Sequence, residues 1–364
     1  MSRLKHRSIP LWQSLLILSL LLPWTLTACV ESAGHPMVRE AVSGDYIRVY
    51  FTAPQAGDGH EARDGGIDFY LVSVIDSAQQ SVDVAAYDLD LETVAEALIR
   101  AQERGVTVRL VTDESNADEE AIASLRQAGI PVVARPESSG GIMHDKFVVV
   151  DGQWIWTGSW NLTYNCTYRN NNNAVLIASR NLAEDYHTEF EEMFAGQFGA
   201  SSPANTPHPR LTIASDGVEV AQIEVYFAPE DGVAQHVIDE ISAAESSVRL
   251  MAFQFTSTPI ADALIAQMER GVEVEGVFEA RSVEDEYNLY GLLLDHGAQI
   301  WTDGNPYLLH HKVMIIDDHT VILGSYNFSN NAERNNDENL LIIHDPQVAA
   351  AFIAEYDRVL QQVP

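Results

Sequence analysis

The chain has 364 residues, 46% of them apolar, and carries 53 Asp and Glu against 21 Lys and Arg, a formal charge of −32. That length accommodates two ordinary domains with a substantial core, and the regular apolar patterning excludes a disordered chain. The acidity repels polyanions, and no Lys/Arg run or zinc-finger spacing offsets it; this disfavours nucleic acid as a partner without closing off a narrow cationic cleft.

In chain order, Arg3, Lys5 and Arg7 precede an apolar run from Leu11 to Trp24, followed by Leu26-Thr27-Ala28-Cys29. A basic start, a short apolar stretch broken by Pro23 and small residues before a cleavage point read as an export signal. The Leu-Thr-Ala-Cys string resembles the lipobox of bacterial lipoproteins. That resemblance implies removal of residues 1–28, lipid on the Cys29 sulfur, and a protein anchored in the bacterial cell envelope. Cleavage would remove three positive charges and no acid, taking −32 to −35. Residues 29–45 then form a tether. With Cys29 lipidated, Cys166 is left without an intrachain partner and reads as a small packing residue.

From residue 46 onward, short β-rich runs alternate with helical patterns. Strands are expected over 46–51 and 81–86, then a helix with Thr93, Val94, Ala97, Leu98 and Ala101 on one face, ended by Gly105. A strand over 106–111, a helix over 119–128 and strands over 130–133, 146–150 and 174–177 follow, closed by a helix over 182–194. The same order recurs 166 residues later: Ser81-Val82 matches Ser247-Val248, and Arg104-Gly105-Val106 matches Arg270-Gly271-Val272. Asp113 falls opposite Glu279, and Asn173 opposite Asn339. The second copy ends in a helix over 346–360. A whole domain is therefore duplicated, over 46–198 and 221–364, with a Pro-rich linker over 199–220. The expected fold is α/β: two tandem homologous α/β/α sandwich domains with mixed sheets, related by a pseudo-twofold.

The repeat carries a motif. His144-Asp145-Lys146 is followed by Asp151 and Gly158-Ser159-Trp160-Asn161; His310-His311-Lys312 is followed by Asp317 and Gly324-Ser325-Tyr326-Asn327. Beyond residue 28, Lys146 and Lys312 are the only lysines in the chain. Everywhere else positive charge comes from arginine, so these positions call for a compact, movable point charge. Strand alternation puts His144 and Lys146 on one face and directs Asp151 to the other, where it can hold backbone; the same parity applies to His310, Lys312 and Asp317. Glycine permits a tight turn, and Asn supplies an amide donor for a phosphoryl oxygen. Two lysines and two asparagines around one phosphate would stabilise a five-coordinate transition state, with two imidazoles as nucleophile and proton donor.

This pattern resembles the phospholipase D superfamily, with its duplicated His-x-Lys-x4-Asp signature and downstream Gly-Ser-x-Asn, over about residues 46–361. The resemblance implies that the halves pack face to face and that His144, Lys146, Asn161, His310, Lys312 and Asn327 share one catalytic site. Asp151, Ser159, Asp317 and Ser325 would support it. It also implies metal-independent phosphodiester cleavage through a phosphohistidine, with no cofactor, in a monomer. Fourteen residues after the motif glycine the second half has Glu338 and the first has Asn172. In that family a carboxylate there orients a catalytic histidine, so Glu338 joins the catalytic set, and a carboxylate stabilises imidazolium better than an amide does. The assignment is His144 as nucleophile, oriented by Glu338 from the opposite half, with His310 as acid and base.

Adjacent residues on a strand point to opposite faces, so His310-His311 beside Asp317-Asp318 makes a poor metal site. Trp160 and Tyr326 are equally placed to pack in the core or to line the mouth of the site. Phospholipid head groups are the leading substrate, since an anchor places the site beside lipid and the charge opposes nucleic acid. A metal-independent endonuclease and a silent phosphate-binding lipoprotein are the alternatives.

Overall fold

The structure, a computed structural model, describes residues 38–43, 46–54, 65–215 and 218–364. The expected signal over 1–28 and the expected lipidation at Cys29 lie outside the described residues. Among the described residues each half contributes eight strands. In the first they are β1 (Val38–Ser43), β2 (Ile47–Thr52), β3 (Ser81–Ala86), β4 (Thr107–Asp113), β5 (Val132–Arg135), β6 (Lys146–Val150), β7 (Trp154–Gly158) and β8 (Asn173–Ala178). In the second they are β9 (Arg210–Ser215), β10 (Val218–Ala228), β11 (Ser247–Ala252), β12 (Glu273–Phe278), β13 (Gln299–Thr302), β14 (Lys312–Ile316), β15 (Thr320–Gly324) and β16 (Glu338–His344).

The sheet orders are β1-β2-β8-β7-β6-β3-β4-β5 and β13-β12-β11-β14-β15-β16-β10-β9, the same topology used twice. Both are mixed. The pairs β3/β4, β4/β5, β11/β12 and β12/β13 are parallel, and the rest are antiparallel. The duplicated α/β architecture expected from the sequence is therefore the one observed.

Three apolar clusters define the layers. An outer cluster in the first half packs Val148, Val150 and Trp156 under the helices α1 (Asp68–Ser77), α2 (Glu92–Glu103) and α3 (Glu120–Gln127). An equivalent cluster in the second half includes Met314, Ile316 and Leu264. The third lies between the sheets and joins Phe147, Val149, Tyr186 and Phe190 to Phe227, Val313, Ile315, Phe352 and Tyr356. Strand β6 is buried along its whole length because its two faces feed two different cores, which is why it reads as a continuous apolar run.

The helices between the sheets start at firm caps. After α4 (Tyr164–Tyr168) comes α5 (Arg180–Phe194), where Ser179 Oγ accepts from the Leu182 N–H at 3.3 Å. The second half adds α6 (Val233–Ala243), α7 (Thr258–Glu269), α8 (Tyr290–Asp295), α9 (Asn330–Arg334) and α10 (Pro346–Leu360). Asp345 caps α10 by accepting from the Gln347 N–H at 2.7 Å, with Pro346 in the first turn.

Two boundaries differ from the sequence reading. The stretch taken as a tether contains β1, and Arg39 Nη1 reaches Glu355 Oε2 of α10 at 3.0 Å, so this edge strand belongs to the folded body. The stretch taken as a linker contains β9 and the start of β10. Its Pro207 and Pro209 draw attention away from the alternation of Leu211 and Ile213, and Ile213 packs into the central core. Helix α1 has no counterpart in the sequence reading, because its apolar residues show little one-sided periodicity.

Candidate active site

His144 and His310 lie two residues before the start of β6 and β14, and each is stitched to the opposite half by backbone. His144 N–H donates to Asp337 O at 2.9 Å, and Asp337 N–H to Ile142 O at 3.0 Å. At the duplicated position His310 N–H donates to Asn171 O and Asn171 N–H to Leu308 O, both at 2.9 Å. These crossed ladders place the residue after each one, Glu338 and Asn172, against the histidine of the other half.

The side chains meet accordingly. His144 Nδ1 lies 2.7 Å from Glu338 Oε2, and His310 Nδ1 lies 2.9 Å from Asn172 Oδ1. Glu338 Oε1 also accepts from Asn336 Nδ2 at 3.0 Å. Asn172 is locked in orientation, its Nδ2 donating to Cys166 O at 3.0 Å and its Oδ1 accepting from the Ser159 hydroxyl at 3.0 Å. With Nδ1 engaged on both rings, both Nε2 atoms are left for chemistry. Lys146 Nζ donates to His144 O, and Lys312 Nζ to His310 O at 2.9 Å. Asn161 Oδ1 and Asn327 Oδ1 are buried without a hydrogen-bond partner among the described residues. Leaving a buried carbonyl oxygen unpaired costs about 1–3 kcal/mol.

The four basic groups share one field. Burial, then Lys146 and Lys312, hold His144 well below the usual imidazole range; burial, then Lys312, Lys146 and His144, do the same for His310. Burial brings Lys146 down to about 8, and burial with the neighbouring Lys146 holds Lys312 well below the usual lysine range. Burial lifts Glu338 to about 7, opposed by Lys146, Asn336, Ser325 and Lys312. A site that resists four positive charges at once gains most from an anion, and a phosphodiester supplies one.

The supporting residues act on backbone. Asp151 adopts φ 53° and its carboxylate accepts from the N–H groups of Gln79, Gln80 and Ser81 at 2.7–3.1 Å. Asp317, at φ 52°, does the same for Glu245, Ser246 and Ser247 at 2.7–3.0 Å. Desolvation raises the Asp317 pKa, but those bonds outweigh it and the net shift is downward. Each aspartate thus ties the far end of its motif strand to the start of the neighbouring β3 or β11. Ser159 N–H donates to Asn173 O at 3.1 Å, and Ser325 N–H to Asn339 O at 3.0 Å. The preceding glycines make this approach feasible: a Cβ on Gly158 would lie 2.4 Å from Asn173 O, and one on Gly324 2.3 Å from Asn339 O.

Other expectations are settled by burial. Trp160 and Tyr326 are both core residues rather than residues of the mouth. Trp160 Nε1 donates to Thr167 Oγ1 at 3.1 Å, and the Tyr326 hydroxyl donates to Glu333 Oε2 at 2.8 Å. Cys166 is buried and unpaired. The aromatics beside the chemistry are Tyr87 and Phe253, which directly follow β3 and β11. The Tyr87 ring stands edge-on to His144 at 5.1 Å, with Lys146 Nζ 5.2 Å from its centre. Phe253 stands likewise 4.8 Å from His310, with Lys312 Nζ at 4.7 Å. Both are half-buried, and they sit at the same 166-residue offset, which was the available signal. A buried ion pair across the halves was also missed: Arg135 Nη1 donates to Asp337 Oδ2 at 2.7 Å and Nη2 to Asn335 O at 2.8 Å.

Among the described residues, one set of His and carboxylate ligand atoms lies within 4.8 Å, formed by Glu224, Glu240 and His344. It stands at the opposite end of β16 from Glu338. Glu224 already accepts from Arg210 Nε at 3.0 Å and from the Tyr226 hydroxyl, so the set forms part of an ion-pair cluster apart from the motif residues.

The family described as "Cardiolipin synthase, PLD-like domain" matches twice, over residues 71–194 and 237–360. A "Phospholipase D" of Rickettsia bellii is 26% identical over 172 residues, 47% of this chain and 83% of that protein. The "Phospholipase D" of Rickettsia prowazekii is 37% identical over 136 residues, 37% of this chain and 66% of that protein. A "Mitochondrial cardiolipin hydrolase" of Xenopus tropicalis is 35% identical over 126 residues, 34% of this chain and 59% of that protein. In fold, the crystal structure of phosphatidylserine synthase from Haemophilus influenzae Rd KW20 superposes with a TM-score of 0.60 at 16% identity, covering 81% of this chain and 84% of that one. With both of its halves matched by the family, the chain belongs to the phospholipase D superfamily.

Proposed function

We propose that this protein is a phosphodiesterase that hydrolyses phospholipid head groups through a phosphohistidine on His144. The observation that carries the reading is the unequal pairing of two otherwise matched imidazoles, a carboxylate on His144 and an amide on His310. An ionised Glu338 holds the Nδ1–H tautomer of His144, leaves the Nε2 lone pair free and stabilises the cationic ring once a bond forms there.

In the first step His144 Nε2 bonds to phosphorus and the bond to the departing oxygen breaks, while His310, protonated on Nε2 once the phosphodiester anion is bound, gives that oxygen a proton. Lys146, Lys312 and the Asn161 and Asn327 amides hold the equatorial oxygens. In the second step His310 takes a proton from water, the hydroxide oxygen bonds to phosphorus, and the P–N bond breaks. The products are an alcohol and a phosphomonoester, and both histidines return to their starting state.

Lipid is favoured over nucleic acid by the net charge of −32 and by the acids on the first-half side. Asp88, beside Lys146, is raised to about 6 by burial, then by Asp90 and Glu119. An anchor on Cys29 would hold the site at a membrane surface.

The test is turnover of phosphatidylcholine, cardiolipin, single-stranded DNA and bis(p-nitrophenyl) phosphate in the presence of EDTA, by the full chain and by His144→Ala. Head-group release that disappears in the variant supports the proposal. Cleavage of DNA without lipid turnover replaces it with a nuclease, and no turnover at all replaces it with a phosphate-binding protein.

A further inference from the structure

Glu338 and Asn339 are neighbours on β16, and successive strand residues point to opposite faces. Glu338 reaches His144, while Asn339 turns into the seam between the halves and is gripped there by the first half. Its Nδ2 donates to Asp145 Oδ1 at 2.6 Å. Its Oδ1 accepts from the Thr157 hydroxyl at 2.8 Å and the Tyr186 hydroxyl at 3.2 Å. All four residues are fully buried, so water does not compete for these bonds. Asp145 is the residue between His144 and Lys146. Two consecutive residues of one half, His144 and Asp145, are thus joined to two consecutive residues of the other, Glu338 and Asn339.

The duplicated seam is looser. Asn173 Nδ2 lies 2.8 Å from His311 Nδ1, but Asn173 Oδ1 is buried without a partner among the described residues. His311 leans instead on Glu355, 3.2 Å from its Nε2. Three bonds from the opposite half therefore fix the asparagine beside Glu338, and one fixes the asparagine beside Asn172.

We infer that Asn339, through its clasp with Asp145, Thr157 and Tyr186, is a positioning residue that holds Glu338 against His144. The kinetic consequence rests on the phosphodiesterase reading, whereas the geometric one does not. A carboxylate is useful to His144 only while its oxygen meets Nδ1, and misplacement by about 1 Å costs on the order of 100-fold in rate. The middle residue of the first His-x-Lys then has a role of its own, setting the register of the opposite half.

An exchange of charge tests this. Asn339→Asp sets two carboxylates face to face across a 2.6 Å contact. Asp145→Asn together with Asn339→Asp restores a donor facing an acceptor, while Thr157 and Tyr186 still donate. The full-length variants are compared with wild type by melting temperature, by kcat and KM on bis(p-nitrophenyl) phosphate across pH, and by the His144 tautomer read from 15N shifts. Asn339→Asp is expected to lose on the order of 100-fold in kcat with KM held, the loss deepening as pH rises, and the double variant to recover to within about tenfold of wild type. Thr157→Val with Tyr186→Phe, which removes hydroxyls alone, is expected to lower kcat about tenfold.

The inference is overturned if Asn339→Asp keeps wild-type kcat and tautomer, or if a folded double variant does no better than the single one. Should Asn339→Asp fail to fold, an unchanged kcat and tautomer in the hydroxyl variant overturns it equally. Should wild type turn over no substrate, the phosphodiesterase reading fails, and the tautomer comparison still decides the clasp.

Discussion

Replacing Glu338 by Gln gives His144 the kind of partner that His310 already has. The substitution preserves size and a Nδ1–H acceptor but removes the charge that steadies the imidazolium when His144 bonds to phosphorus. A hydrogen bond to a charged group contributes about 1.5–3 kcal/mol and a neutral one about 0.5–1.5 kcal/mol. The difference, roughly 1–2 kcal/mol, corresponds to about a 5- to 30-fold fall in kcat. The pH profile is the more diagnostic readout. Below about 7 the Glu338 carboxyl is protonated; its O–H then donates to Nδ1, the His144 proton sits on Nε2, and the nucleophile is blocked. Above about 8 Lys146 loses its charge. Wild-type kcat/KM should therefore rise through about pH 7 and fall from about pH 8. In Glu338→Gln the rising limb should vanish and the falling limb remain. Stopped-flow measurements with bis(p-nitrophenyl) phosphate between pH 5 and 9 check both. A Glu338→Gln profile that keeps its rising limb, with kcat within about twofold of wild type, refutes the assignment, because one charged hydrogen bond exceeds that margin.

Three further outcomes are expected. With bis(p-nitrophenyl) phosphate, whose leaving group needs no proton, His310→Ala should release one equivalent of p-nitrophenolate and stall as a covalent adduct that mass spectrometry places on His144; label on another residue reverses the roles. Arg135→Ala should cost about 3–5 kcal/mol at pH 8, since it strands the buried Asp337 carboxylate, and less at pH 5, because burial has raised that carboxyl to about 6; urea unfolding at the two pH values measures the difference. Asp145 and Glu230 are each raised to about 8, first by burial, so the folded state binds their protons more tightly than the unfolded chain. Their contribution is complete below about pH 4 and is lost as pH rises through about 8, so the melting temperature should be higher at pH 5.5 than at pH 8.5, and the reverse order contradicts it.

Much of the site was legible in the chain because duplication writes it twice. A 166-residue offset with every motif residue retained marks the histidines, lysines, asparagines and serines, and strand parity directs Asp151 and Asp317 to backbone. The pairing of Glu338 with His144 followed from the family resemblance together with a carboxylate in the second copy where the first has Asn172. Trp160 and Tyr326 were ambiguous because an aromatic at a turn can face either way, and only the packing of Trp156 and Phe328 around them resolves it. Tyr87 and Phe253 lie nearly 60 residues before their histidines, and no local pattern marks them.

Local sequence carries periodicity, turn chemistry and motif spacing, because these depend on neighbours along the chain. The crossing of the halves depends on a surface that neither half has alone. Arg135 against Asp337, Asp145 against Asn339 and Asn172 against His310 are contacts between residues 138 to 202 positions apart, selected by how two sheets share the core around α5 and α10. That packing, rather than any motif, decides which imidazole receives the carboxylate.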